Sequence, residues 1–273
     1  MTSPVGRKTT VATPVRRNDE DGIATLVLDA PMTRNALGEA MMSALAAHFT
    51  AIAADPAVRV VLLAAEGPTF CAGHDLKELT AHRADGDGGR AYFERVMGAC
   101  CGLMRAIVEL PQPVVAAVQG VATAAGCQLV ASCDLALAST DARFQTPGVD
   151  IGLFCSTPMV ALTRNVGPKQ ALEMLFTGEA IDADHAARIG LVNRVVAAEA
   201  LRAEALALAR LVASKPARTM RLGKAAFRRQ ATLPLADAYR LAAGVMVENL
   251  LDAEAIEGIA AFLAKRAPRW NDK

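Results

Sequence analysis

Two stretches of the chain could bring backbone chemistry to bear on a ligand: FCAGHDLKEL, Phe70–Leu79, and GVATAAGCQL, Gly120–Leu129. Each places small residues at a bend before a helical segment. Small residues let a ligand approach the main chain, and the first turn of a helix leaves N–H groups without intrahelical acceptors. Two such groups, one from each stretch, would polarise a carbonyl oxygen, and a helix dipole would favour the charge developing there. A pair of ordinary tight turns explains the same spacing equally well. A dinucleotide site does not, because no GxGxxG follows a strand. The polar side chains nearby are few. Asp75 stands where a helix N-cap would stand, His74 could titrate near neutral pH, and Gln128 is a lone amide in an apolar run. Cys127 and Cys155 read more readily as small hydrophobes than as nucleophiles, and Ser156 has no histidine near it in sequence.

The elements that must position these stretches follow from periodicity. Strands are expected over Gly22–Ala30, Val58–Glu66, Pro113–Gly120 and Asp134–Ser139, and around Phe144. Helices are expected over Leu37–Asp55 and Tyr92–Leu110, the second closed by Pro111 and Pro113. From Pro158 onward the pattern turns almost wholly helical. Pro168–Gly178 carries Pro at its start and Gly at its end, and Asp182–Val196 reads as a capped helix, a glycine stop and a short strand. Leu201–Ala213, Pro216–Gln230, Leu235–Leu251 and Glu254–Lys265 complete the series. Strand–helix alternation followed by helices predicts an α/β layer with a helical C-terminal part. Residues 1–20 are expected to be a disordered tail, 21–200 the core and 201–273 the helical region. If the strands before the two stretches are neighbours, both stretches lie at the C-terminal edge of the sheet, where open α/β sheets bind ligands.

Composition removes several function classes. At 273 residues the chain can bury a substantial core, and a net charge of +1 without a basic block gives no reason to expect nucleic acid. Arg, Lys, Asp or Gln interrupts every apolar run before it reaches the length of a membrane span. The six cysteines form no CxxC pair and the four histidines lack ligand spacing to them, so no metal site is expected. Without a secretory signal, reduced thiols in the cytoplasm are expected. The organellar matrix is the alternative, because Met1–Arg17 carries Arg and Thr with no acid before Asp19.

FCAGHDLKEL resembles the F-x-A-G-x-D-[IL]-K-E loop of the crotonase, or enoyl-CoA hydratase/isomerase, superfamily. VQGVATAAGCQLVASCDLALAS resembles its second signature, Ala171–Val196 the segment that follows, and EGIAAFLAKRAPRW its terminal helix. The matches are collinear from Gly22 to Trp270, and Gly73-His74-Asp75 with ATAAGCQLVASCD is most similar to the enoyl-CoA hydratase domain-containing protein 3 branch. The resemblance implies a crotonase-like spiral of ββα units with a helical C-terminal trimerisation region, and a homotrimer or dimer of trimers. It implies an acyl-CoA or enoyl-CoA thioester as ligand, with no cofactor beyond the coenzyme A that is part of it. The backbone N–H groups of His74 and Ala125 would form an oxyanion hole. Arg34, Ala72, Asp75, Leu76 and Lys77 fall on the CoA-binding surface, and Phe262 and Lys265 on terminal-helix positions that reach the nucleotide end of CoA on a neighbouring subunit.

The pattern breaks where acid–base chemistry is done. The two glutamates of family hydratases fall on Gln128 and on Gly148, and neither residue can titrate. Asp150 is the nearest carboxylate along the chain to the second position, although capping a nearby backbone group accounts for it better. A glutamate at Gly148 would also meet backbone resistance if the glycine holds a positive φ. The reading is therefore an acyl-CoA thioester-binding, enoyl-CoA hydratase-like protein with the oxyanion hole kept and both glutamates replaced. The alternatives are another enolate-forming reaction (isomerase, decarboxylase or thioesterase) and a non-catalytic acyl-CoA-binding regulator.

Overall fold

The computed structural model describes residues 13–270. The chain begins with a hairpin, β1 (Val15–Glu20) and β2 (Ile23–Leu28), paired antiparallel. Asp21 and Gly22, with φ of 52° and 75°, make the two-residue turn whose twist matches the strands. The tail expected over residues 1–20 therefore runs too far, since Val15–Glu20 is an edge strand and Val15 is buried. Asp-Gly between two extended runs was the signal for it. The part of that tail before residue 13 lies outside the described residues.

After α1 (Glu39–Ala53) the chain repeats one move: a strand in a large sheet, a short strand in a small sheet, then helix. β3 (Val60–Ala65), β4 (Thr69–Cys71) and α2 (Leu76–Ala81) make one such unit, followed by α3 (Arg90–Glu109). β5 (Val114–Val118), β6 (Val121–Thr123) and α4 (Ala125–Ser132) make the next. β7 (Leu135–Ser139) and β8 (Arg143–Gln145) lead through a 3₁₀ turn, Pro147–Ile151, to α5 (Ser156–Leu162). α6 (Pro168–Thr177), β9 (Ile181–Asp182), α7 (Ala183–Arg188) and β10 (Arg194–Val196) close the core. The large sheet runs β1-β2-β3-β5-β7-β10 and the small one β4-β6-β8-β9. This is the expected spiral of ββα units.

Alternation along the strands builds two apolar layers. Val61 and Leu63 face the main core with Leu45, Phe49, Leu103 and Leu129, while Val60 and Leu62 turn to the other face. There they meet Leu201, Ala205 and Leu208 of α8 (Leu201–Ala213). Both faces being covered explains why these strands read as unbroken apolar runs. It also moves a boundary: α8, expected in the C-terminal helical region, belongs to the core.

Beyond it lie α9 (Ala217–Gln230), α10 (Leu235–Leu250) and α11 (Ala253–Leu263). No residue of α9 or α10 is buried, and Ala261 is the one buried residue of α11. A polar plug ties α9 to the core. Lys224 donates from Nζ to the carbonyls of Ile107 (3.3 Å) and Gln112 (3.0 Å) and to Asp134 (2.6 Å), and Arg228 reaches the other oxygen of Asp134 at 3.1 Å.

Candidate functional site

β4 and β6 are parallel neighbours, with Thr69 beside Val121 and Cys71 beside Ala122. The two stretches therefore leave the same edge side by side. They leave it from the small sheet, because each expected strand is followed by a second short strand that its sequence run did not reveal. Gly126 is pressed onto β4 so closely that a Cβ there would sit 2.1 Å from the Cys71 carbonyl oxygen. At Gly73, whose φ is +79°, an added Cβ would lie 2.9 Å from the Thr123 oxygen and 3.2 Å from the Ala125 nitrogen. The bends touch.

Peptide planarity then fixes two N–H groups. The Gly73 carbonyl accepts from the Leu37 N–H at 2.7 Å, so across the trans peptide the His74 N–H points the opposite way. The Ala124 carbonyl accepts from the Gln128 N–H at 3.1 Å, so the Ala125 N–H points back out of the start of α4. Neither N–H has a hydrogen-bond partner among the described residues. Ala124 makes this possible with φ 51° and ψ −119°, backbone that a glycine adopts far more readily.

The surrounding loops are stitched to this edge. Arg34, at φ 55°, accepts the Ala72 N–H on its carbonyl at 3.1 Å, while its side chain stays exposed. Asn35 is the positioning residue that the sequence reading missed. Fully buried, it accepts from the Ala30 N–H and donates to the carbonyls of Glu66 and Thr69. It holds φ 53°, which Asn tolerates best after Gly, and nothing in the sequence run announces that. Asp75 caps α2, accepting from the N–H groups of Lys77 (2.8 Å) and Glu78 (3.3 Å), as expected. Leu76 and Lys77 are exposed beside it.

Three of the expected residues stand out for what surrounds them. Gln128 is 4% exposed, and its Oε1 is buried with no hydrogen-bond partner. Both ring nitrogens of His74 are likewise buried, with no partner beyond a weak backbone contact with Leu37. Burial holds the His74 pKa below the ordinary imidazole value, against a smaller opposite pull from the Leu37 backbone. Gly148 is buried, and its carbonyl accepts the Leu153 N–H at 2.8 Å. A Cβ on Gly148 would stand 2.7 Å from the Leu153 oxygen and 3.0 Å from the Cys155 sulfur. The residue lies outside the positive-φ region, so crowding, not backbone angle, is what opposes a side chain there.

Other expected groups lie elsewhere or are disarmed. Asp150 is exposed and turned toward the end of α6, where its carboxylate is 3.1 Å from the space a Cβ on Gly178 would take. Burial pushes the Cys127 thiol up to about 12 and raises Cys155 as well, which suits neither to nucleophilic attack. Phe262 (82% exposed) and Lys265 sit at the end of α11, which packs against α9 and α10. Among the described residues no cluster of His, Cys, Asp or Glu could hold a metal, and no helix is long and apolar enough to cross a membrane.

Comparison with known proteins is consistent along nearly the whole chain. Residues 18–273 match the family model for enoyl-CoA hydratase/isomerase. The mitochondrial enoyl-CoA hydratase domain-containing protein 3 of Rattus norvegicus is 49% identical over 92% of this chain and 82% of its own length. The Homo sapiens protein of the same name is 46% identical over 97% of this chain and 86% of its own. The crystal structure of that human protein superposes with a TM-score of 0.90 at 47% identity, covering 94% of this chain and 100% of the other. An enoyl-CoA hydratase structure from Mycobacterium smegmatis gives 0.90 at 51% identity, covering 94% and 98%.

Proposed function

Since the chain belongs to the enoyl-CoA hydratase/isomerase family, we propose that it binds acyl-CoA thioesters and polarises their carbonyl group without hydrating them efficiently. The observation that carries this reading is the pair of unspent N–H groups, His74 and Ala125, on touching bends at one sheet edge. A thioester oxygen placed between them would receive two hydrogen bonds and the positive end of α4, and each donor of this kind is typically worth about 3 kcal/mol in a transition state. Water would find no carboxylate to activate it, because Gln128 can orient but not deprotonate it and Gly148 has no side chain. The orphaned Oε1 of Gln128 supports a polar occupant, since a buried acceptor left alone costs on the order of 1–3 kcal/mol.

The CoA portion would lie along Arg34, Ala72, Asp75, Leu76 and Lys77, with Phe262 and Lys265 of a neighbouring copy closing on its nucleotide. Exposed Phe227, Leu235, Tyr239, Met246, Leu251, Ile256 and Phe262 leave the last three helices short of partners in one chain, which supports a homotrimer or a pair of trimers. The proposed location is the cytoplasm, with the organellar matrix as the alternative that the mitochondrial names of the rat and human relatives support.

Calorimetric titration with butyryl-CoA, butyryl-pantetheine and free CoA tests the reading. Butyryl-CoA should bind best, and exchanging Lys77 and Lys265 for Glu should weaken it far more than butyryl-pantetheine. Failure of butyryl-CoA to bind would end the proposal.

A further inference from the structure

We propose that the His74 imidazole is the proton-transfer group of this site, acting at the α-carbon of the bound thioester. The inference rests on the thioester reading above and deepens it. His74 would hold the carbonyl oxygen with its backbone N–H, and its side chain springs from the same residue. That buried ring has nothing set against it beyond a weak backbone contact with Leu37, whereas His82 spends its ring on Asp85 and on stacking against Tyr92. Buried polar groups so poorly partnered are rare, and one on the very residue that offers an open N–H points to a ligand. Gln128 carries a second orphan one helical turn beyond Ala125, on the same face of α4.

Elimination reaches the same ring. Gln128 cannot titrate, and Asp150 faces the end of α6. Asp75 is committed to its cap, and the Glu78 carboxylate accepts from the Glu39 N–H at 3.1 Å. Burial pushes the Cys71 thiol up to about 12. The same burial favours the neutral His74 ring, which offers one lone pair and one N–H.

The step balances with water as the only other participant. The α-carbon–hydrogen bond breaks, an N–H bond forms on the ring, and the electron pair moves onto the thioester oxygen. The ring exchanges its proton with solvent, and its return to the α-carbon restores the thioester and the neutral imidazole. One titrating group suffices for this exchange, whereas hydration needs a base for water and an acid for carbon.

The test is α-hydrogen exchange of butyryl-CoA in deuterium oxide, followed by NMR on the full chain beside the calorimetric titration. His74→Gln keeps the peptide N–H and a polar amide but removes the titrating ring. Wild type should exchange well above buffer, and His74→Gln should lose about 100-fold or more of that rate with affinity within about twofold. Equal exchange by the two proteins overturns the inference, as does wild-type binding with exchange no faster than buffer. Loss of binding by wild type instead removes the thioester reading beneath it. If His74→Gln fails to fold, the wild-type pH profile decides. The exchange rate must fall with acid through one ionisation below the ordinary imidazole range, and a flat profile there refutes the role.

Discussion

One part of the candidate site, its backbone flank, carries the N–H donors, and another, its side-chain flank, depends on what stands at residues 128 and 148. On the first, the His74 and Ala125 N–H groups are aimed by planar peptides whose carbonyls are already bonded to Leu37 and Gln128. Gly120 and Gly126 sit so close to the Pro68 and Cys71 carbonyls that no Cβ fits. Losing those donors means losing the local fold. On the second flank stand Gln128 and Gly148, which under the proposed reading occupy the two carboxylate positions and neither of which can titrate. Under the proposed reading, one substitution can remove an acid–base side chain from such a site while the backbone donors stay in place.

The largest effect expected from this contrast is on turnover. Under the proposed reading no carboxylate serves hydration, and such help is commonly worth 10²–10⁴-fold, so hydration of crotonyl-CoA should run at roughly 0.001–0.1 s⁻¹ against about 10 s⁻¹ for a typical enzyme. A stopped-flow or absorbance assay near 10 s⁻¹ would erase the difference between the flanks.

Next comes the backbone flank itself. Gly126→Ala puts a Cβ 2.1 Å from a carbonyl oxygen that belongs to a strand and cannot swing aside. A cost of about 3 kcal/mol in urea unfolding is expected, the upper range for overpacking, together with loss of butyryl-CoA binding. Gly98→Ala is the control, since an exposed glycine inside α3 has nothing within 4 Å and should gain about 0.5–1 kcal/mol.

Gly148→Glu should be intermediate. Its Cβ meets the Leu153 oxygen at 2.7 Å, so the substitution should cost about 1–3 kcal/mol and should not restore hydration, even combined with Gln128→Glu. A folded double variant that hydrates crotonyl-CoA at enzyme rates would show that Leu153 and Cys155 yield easily.

How much of this could be read from the sequence follows the same division. Small residues at Gly73, Ala124, Ala125 and Gly126 marked the backbone flank, because close approach leaves a compositional trace. The caps at Asp75 and Asp182 were legible for the same local reason, and both accept N–H bonds as cap residues do. Strands β4 and β6 were not, since three residues give no period to read. β1 hid among Arg16, Arg17, Asp19 and Glu20, because this edge strand exposes most of its length. Nor could periodicity show that α8 covers the sheet while α9–α11 do not, as all four carry apolar faces. Asp150 misled because proximity in sequence is not proximity in space, and the 3₁₀ turn over Pro147–Ile151 sends its side chain toward Gly178.

The smallest expected effect probes the strain that aims the second donor. Ala124, at φ 51° and ψ −119°, holds a conformation that costs a residue with a Cβ on the order of 1–3 kcal/mol. Ala124→Gly removes that cost but adds about 0.5–1 kcal/mol of backbone entropy to be lost on folding. The balance is a gain of about 1 kcal/mol, read as a higher urea midpoint at unchanged slope. The Ala124 N–H bond to the Gln145 carbonyl (2.9 Å) and its carbonyl bond from Gln128 involve only backbone, so both survive the change. The Ala125 N–H should keep its direction, and butyryl-CoA affinity should stay within about twofold. A variant that is more stable yet binds several-fold more weakly would mean that the Cβ of Ala124, rather than its backbone, shapes this flank.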